Sequence, residues 1–222
     1  MGGLEWSLPV EDHGFVEWLP WNYSTVTRLD SAAVVVSIAE ERTGLEAAIR
    51  IELDSAHSYF TLTPVLHNPN TSPLAFQFWM AAIAAPAGDN RAGPDLRFNI
   101  PTDGMLVHST DDKTLPPEGQ TISWPDYNGR DMSLYGNWRE FLSLFASGGA
   151  AQPYTGLYSA RADEGFARIF PPQAARGLKL FGPGDLPSYT WTTDDSSYVE
   201  LWGGLTSNFS ETVTLQPDES YS

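Results

Sequence analysis

Glu200 stands in Tyr198-Val-Glu-Leu-Trp-Gly-Gly-Leu-Thr206, a run of apolar and aromatic residues that reads as a strand. A carboxylate taken out of water is costly unless it is paired or put to chemical use. Residues two apart on a strand project to one face, so Tyr198, Glu200 and Trp202 form one row. That row sets a hydrogen-bond acceptor between two aromatic platforms. Sugars are polyols with apolar C–H faces and suit such a site. The opposite row, Val199, Leu201 and Gly203, is apolar as well, as in a strand buried on both sides. The same residues therefore also fit Trp202 in a core, with Glu200 paired to Lys179 or Arg176.

Other candidates are more scattered. His108, in Met105-Leu-Val-His-Ser-Thr110, offers an acid or a hydrogen-bond donor to a sugar hydroxyl. His13, His57 and His67 are weaker, and no two histidines have metal-ligand spacing on a helix. Asp111-Asp112 and Asp194-Asp195 read as solvated loop acids rather than as calcium ligands, so no metal and no cofactor is expected. Trp124-Pro-Asp-Tyr-Asn-Gly-Arg130 joins the aromatics Trp124 and Tyr127 to Asp126, Asn128 and Arg130. It is the most site-like cluster outside the Glu200 run, although Pro, Asn and Gly equally describe an ordinary turn. Trp18, Trp21, Tyr23, Trp138 and Trp191 also lie mostly near turns. There is no Gly-x-Ser-x-Gly elbow and no phosphate-cradling glycine loop. A carboxylate pair for glycoside cleavage stays open, because its separation is a matter of three dimensions.

Composition narrows the partners. Among 222 residues, 12 Lys+Arg stand against 28 Asp+Glu, a net charge of −16 that cannot easily supply a basic footprint for nucleic acid. Neutral glycans are compatible with such a surface, whose acidity otherwise serves solubility. Cysteine is absent, which removes disulfides, thiolate metal sites and a cysteine nucleophile. No apolar run is long enough to span a bilayer, and Met1-Gly-Gly-Leu-Glu-Trp has neither the basic nor the apolar part of a signal peptide. The end, Thr212 to Ser222, reads as strand, turn and a strand that stops almost as it starts. That is the pattern expected of part of a longer protein.

Short alternating runs between turn residues predict an all-β, antiparallel sandwich spanning 1–222 as one domain. Strands are expected at Val34–Ile38, Glu46–Leu53, Tyr59–Leu66 and, as one long buried strand, Leu74–Ala85. Further strands follow at Tyr154–Ser159, Gly165–Phe170, Leu178–Phe181, Tyr198–Leu205 and Glu211–Leu215. Asp89 to Pro125, interrupted by prolines, reads as an irregular excursion over one face of the sheet. Its part Met105–Arg130 is expected to wall a groove with Glu200 at the floor. Trp138, Phe141, Leu142 and Phe145 have helical spacing, which predicts one short helix over Asn137–Ala146.

Several segments fall in one order that resembles an uncharacterised galactose-mutarotase-like family, often found with tetratricopeptide repeats in bacterial proteins. They are Gly2-Gly-Leu-Glu-Trp6, Trp21-Asn-Tyr-Ser24, Gly129-Arg-Asp-Met-Ser-Leu-Tyr-Gly-Asn-Trp138 and Gly177-Leu-Lys-Leu-Phe181. To these are added Trp191-Thr-Thr-Asp-Asp-Ser-Ser-Tyr-Val-Glu200 and Leu215-Gln-Pro-Asp-Glu219. The resemblance implies the antiparallel supersandwich of aldose 1-epimerases, which carries sugar in a groove on one sheet. Glu200 then falls where those enzymes place their catalytic glutamate, and His108 resembles a histidine of the uncharacterised family. Mutarotation needs a base for the anomeric hydroxyl and an acid for the ring oxygen, and an apolar surround can raise a carboxyl toward that work. Active epimerases also carry a histidine in a His-x-Tyr-Phe-like segment, and Phe76-Gln-Phe-Trp-Met-Ala-Ala-Ile-Ala84 has none. The expectation is therefore a carbohydrate-recognition domain. The alternatives are epimerisation or glycoside processing through Glu200, and a structural role packed against neighbouring domains. The family's further flanking strands, absent here, lead one to expect an incomplete or minimal sandwich.

Overall fold

The computed structural model describes residues 3–10, 12–86, 90–149, 151–171, 174, 176–190, 192–194 and 196–222. In chain order the strands begin with β1 (Gly3–Ser7), β2 (Asn22–Thr27), β3 (Ser31–Ala39), β4 (Glu46–Asp54), β5 (Phe60–His67) and β6 (Leu74–Phe76). Next come β7 (Trp79–Ala84), β8 (Leu96–Asn99), β9 (Gly104–Thr110), β10 (Thr121–Ser123), β11 (Asp126–Tyr127), β12 (Arg130–Asp131) and β13 (Leu142–Ala146). The last are β14 (Tyr154–Ser159), β15 (Glu164–Ile169), β16 (Gly177–Gly182), β17 (Val199–Gly204), β18 (Val213–Leu215) and β19 (Ser220–Tyr221). The chain forms two compact units, one of Met1–Trp6 with Trp79–Glu211 and one of Ser7–Phe78 with Thr212–Ser222.

The second unit is built on a five-stranded antiparallel sheet in the order β19-β5-β4-β3-β2, with β18 paired to β6. Its turns are held by side chains. Glu40 accepts hydrogen bonds from the Arg42 and Thr43 N–H groups, each at 2.8 Å, and from the Thr43 hydroxyl at 2.6 Å. Gly44, at φ 78°, completes that turn in a conformation that favours glycine. The fully buried Asn68 donates its amide to the carbonyls of Ser72, Leu215 and Gln216 and so clasps the closing strand to the turn after β5.

The first unit carries the site. Its seven-stranded sheet runs β1-β7-β17-β16-β13-β9-β10, and a three-stranded sheet, β15-β14-β8, packs on one face of it. The core between them holds Leu96, Phe98 and Leu157 of the smaller sheet. From the larger sheet come Met105, Val107, Ile122, Leu142, Leu144, Leu178, Leu180, Val199 and Leu201. Two sheets facing each other through alternate residues make the antiparallel sandwich that the alternation predicts.

Three expectations need correction. Residues 142–146 are strand β13, not helix, and only Tyr135–Asn137 forms a single 3-10 turn. β13 lies between β16 and β9 with all five residues buried. A strand apolar on both faces has consecutive large residues, which satisfy helical spacing by coincidence. Leu74–Ala85 is two strands in two units, broken at Gln77 and Phe78, because β6 pairs with β18 and β7 with β17. The excursion, whose first residue Asp89 lies outside the described residues, supplies β8, β9 and β10. Its prolines fall between these strands rather than within them.

Trp79 fixes one end of the larger sheet. Its buried ring lies across Gly204 and Gly177, where a Cβ at either glycine would overlap the indole, and at Gly177 also the Thr206 carbonyl. Gly177→Ala is expected to destabilise the protein by about 1–3 kcal/mol, the range for overpacking a closed core. Chemical denaturation measures this, and an unchanged midpoint would refute the packing described.

Candidate functional site

On the face of the seven-stranded sheet turned away from that core, the strand registers set two rows of side chains. One runs Ile83, Glu200, Phe181, Ser143, Ser109, and the next Ala81, Trp202, Lys179, Phe145, Leu106. Directly opposed residues on antiparallel strands stand close enough for their side chains to touch. Glu200 and Trp202, two apart on β17, therefore share this face, as the alternation predicts. The Trp202 indole N–H donates to Glu200 Oε2 at 2.6 Å, and the two residues are 2% and 5% exposed. Lys179, across from Trp202 and equally buried, places Nζ 4.3 Å from the centre of that ring. The same Nζ lies 5.3 Å from Phe209 and 5.9 Å from Phe181. Tyr198 extends the row half-buried, its ring 6.4 Å from Phe181.

His108 reaches the same face through a β-bulge. Ser143 pairs with Ser109 but Leu144 pairs with Val107, so His108 is the extra residue of β9. The bulge turns His108 and Ser109 to one side, which strict alternation forbids. The imidazole then packs 5.1 Å from Phe145 and 5.7 Å from Phe209, and its Nδ1 lies 3.8 Å from an oxygen of the exposed Glu118. His108 is thus a strand residue, and Met105 and Val107 beside it belong to the core instead of walling a groove. Phe209, on the loop after β17, lies over the face. Its ring meets Trp79, Phe145 and Trp202 edge-on at 4.9–6.1 Å.

The structure thus gathers Glu200, Trp202, Tyr198 and His108, and adds Lys179, Phe145, Phe181 and Phe209. A carboxylate, an ammonium and an imidazole among aromatic rings can bind a polyol, and the carboxylate and imidazole are the groups that acid–base chemistry uses. The signal for Lys179 and Phe181 is present in Gly177-Leu-Lys-Leu-Phe181, whose alternation sets both opposite Leu178 and Leu180. Phe145 is hidden by its apparent helical spacing. Phe209, in a loop, gives no periodic signal. Trp191 and Asp195 lie outside the described residues.

The Trp124–Arg130 cluster is not gathered with them. Trp124 is 6% exposed and belongs to the core on the other face, so it offers no platform. Asp126–Asp131 is a two-stranded hairpin whose turn, Asn128 at φ 54° and Gly129 at φ 79°, has the backbone that Asn-Gly favours. Asp126 accepts from the Gly129 N–H at 3.0 Å, while the half-buried Tyr127 packs against the core. Arg130 is engaged with Asp112 at 2.6 Å and with the Thr114 hydroxyl at 3.1 Å. Burial raises the Asp112 carboxyl. The Thr114 hydroxyl and N–H and the Arg130 guanidinium outweigh that and hold it below the usual carboxylate range. A folded-state value below the unfolded one adds stability above the unfolded pKa, about 3.9, and loses it as pH falls through the folded value. Asp112→Asn is expected to cost about 1.5–3 kcal/mol at pH 7 and progressively less below about pH 4. Thermal unfolding across pH 2–7 measures both, and a pH-independent difference would refute the assignment.

In structure, the whole chain superposes on a TPR-domain containing protein from Parabacteroides distasonis with a TM-score of 0.81 at 22% identity, spanning 36% of that protein. A galactose mutarotase-like protein from Clostridium acetobutylicum matches 99% of the chain over 76% of its own length (TM-score 0.67, 14% identity). A candidate aldose 1-epimerase from Klebsiella pneumoniae matches 98% over 60% (TM-score 0.64, 14% identity). The chain thus spans about a third of the first of these proteins and 60% of the third. These likenesses show a galactose-mutarotase-like fold. A sequence search of curated proteins returns no match. The sequence profile of the family described as a domain of unknown function, DUF5107, matches residues 1–218, and the chain belongs to that family.

Proposed function

We propose that this domain recognises a carbohydrate on the face of the seven-stranded sheet that carries Glu200. The observation that supports the reading most is the Glu200–Trp202–Lys179 group. Three side chains able to engage a sugar's hydroxyls and its C–H face stand on adjacent strands, with aromatic residues on both sides. Glu200 serves as hydrogen-bond acceptor, Trp202 and Tyr198 as platforms, and His108 and Lys179 as donors. Phe209 lies over this face, so a ligand that reaches Trp202 displaces the Phe209 ring. Recognition is favoured over epimerisation because Phe76–Ala84, the segment matching the one in which active epimerases carry a histidine, has none. Aldose epimerisation with Glu200 as base and His108 as acid is the catalytic alternative.

Two variants test the site, one isosteric and one that keeps an aromatic ring but removes the indole N–H. Glu200→Gln and Trp202→Phe are each expected to weaken binding to the best glycan of an array at least tenfold, about 1.4 kcal/mol. The fold, followed by circular dichroism, should be unchanged. Full affinity in both would move recognition off this face. Polarimetry on glucose and galactose separates the catalytic alternative: rapid mutarotation abolished by Glu200→Gln would make the domain an epimerase.

A second reading rests on the five-stranded sheet. The registers put Val34, Leu53 and Phe60 on one face, at 37%, 51% and 46% exposure. Contiguous exposed apolar surface marks interaction sites. A neighbouring domain covering this face would make the protein a packing module. Hydrogen exchange on a longer chain containing this domain would then show protection confined to β3–β5.

A further inference from the structure

Ser143 carries a hydroxyl on the site face whose chemistry the packing leaves unexplained. It is 1% exposed, and its hydroxyl has no hydrogen-bond partner among the described residues. Leaving a buried hydroxyl unbonded is unfavourable, whereas alanine in the same place would cost nothing. The buried hydroxyls of Ser159 and Thr192 are matched: Ser159 donates to Asp95 at 2.8 Å and Thr192 to the Ser196 carbonyl at 2.6 Å. Ser143 differs from them in its position. It stands in the row of Glu200, directly between Phe181 on β16 and Ser109 on β9, at the bulge that turns His108 to this side. Phe181, His108 and Ser109 are each half-buried, so the fully buried Ser143 has partly exposed neighbours on both flanking strands.

We infer that Ser143 is a binding residue of this site and that its Oγ is reserved for a hydroxyl of a polyol ligand, with Glu200 engaging another hydroxyl farther along the row. The inference rests on the carbohydrate reading above. A serine hydroxyl both donates and accepts, so it can bridge to a sugar hydroxyl in either sense. A ligand carrying only apolar groups would gain nothing from it. The bulge has a role in this arrangement: it sets His108 and Ser109 beside Ser143, and a regular strand would turn Ser109 into the core.

The test compares wild type with Ser143→Ala and Ser143→Cys, by calorimetric titration with galactose and with glucose and by thermal unfolding without sugar. Both variants are expected to bind the preferred sugar about tenfold more weakly, while their unfolding temperatures without sugar stay level or rise. Undiminished affinity in Ser143→Ala overturns the assignment to Ser143 and leaves the carbohydrate reading standing. A fall in unfolding temperature of about 3 °C or more in Ser143→Ala also overturns it, because the hydroxyl is then satisfied within the folded protein or by a structural water. Absence of sugar binding by the wild type removes the carbohydrate reading itself, and the role of Ser143 with it.

Discussion

All six residues of β17 are buried, between β7 on one side and β16 on the other. A strand in that position has no face on which a polar side chain can meet bulk water, so anything other than an apolar residue there must be matched by its neighbours. Glu200 is matched in part by the indole of Trp202, two residues along the same strand. Lys179, brought in from β16, spreads its charge over aromatic faces, an interaction worth about 0.5–2 kcal/mol where water is excluded. On the other side of β17, Gly203 leaves room for Arg168, whose guanidinium lies against it and donates to the Met80 carbonyl at 3.3 Å. Burial pushes the pKa of that guanidinium down to about 10. The composition of the surrounding strands follows from the burial of this one.

The two faces of the seven-stranded sheet divide the labour between stability and chemistry. The face toward β8, β14 and β15 is apolar and continuous, and it accounts for most of the large buried side chains of the unit. The other face has a small aromatic cluster of Trp79, Phe145 and Trp202 with Phe209 over it, and Glu200, Lys179 and His108 stand on its border. The bulge in β9 belongs to this division. It changes which way two side chains point without ending the strand, so chemistry is gained on one face while Met105 and Val107 stay in the core on the other.

Much of this was legible in the residues. β-branched residues in Val34–Ile38 and alternation in Glu46–Leu53 place those strands, and the period of two along Tyr198–Leu205 sets Glu200 and Trp202 on one face. Asn128-Gly129 marked its hairpin. What failed has a common cause. Periodicity separates helix from strand only when one face is polar, and β13 has no polar face, so Leu142–Ala146 carried no usable signal. The split between β6 and β7 depends on which partner each half pairs with, 115 or more residues away, and nothing local in Leu74–Ala85 reports that. Trp124 borders a turn, where an aromatic is expected to serve as a platform, but its indole points into the core. The bulge at His108 and the place of Phe209 are matters of register and loop path, which alternation does not encode.

The packing of Trp79 has a consequence for how this fold can vary. Its indole occupies space that side chains at Gly177 and Gly204 would otherwise fill, and the three residues lie on three adjacent strands, β7, β16 and β17. None of the three positions is free to drift alone. A side chain gained at either glycine must collide with the ring, and a smaller residue at 79 leaves a void over both. A relative that has traded this tryptophan for a small residue is thereby released to carry a side chain at 204, whereas the Thr206 carbonyl still holds 177 to glycine, so 79 and 204 should be inherited as a linked pair.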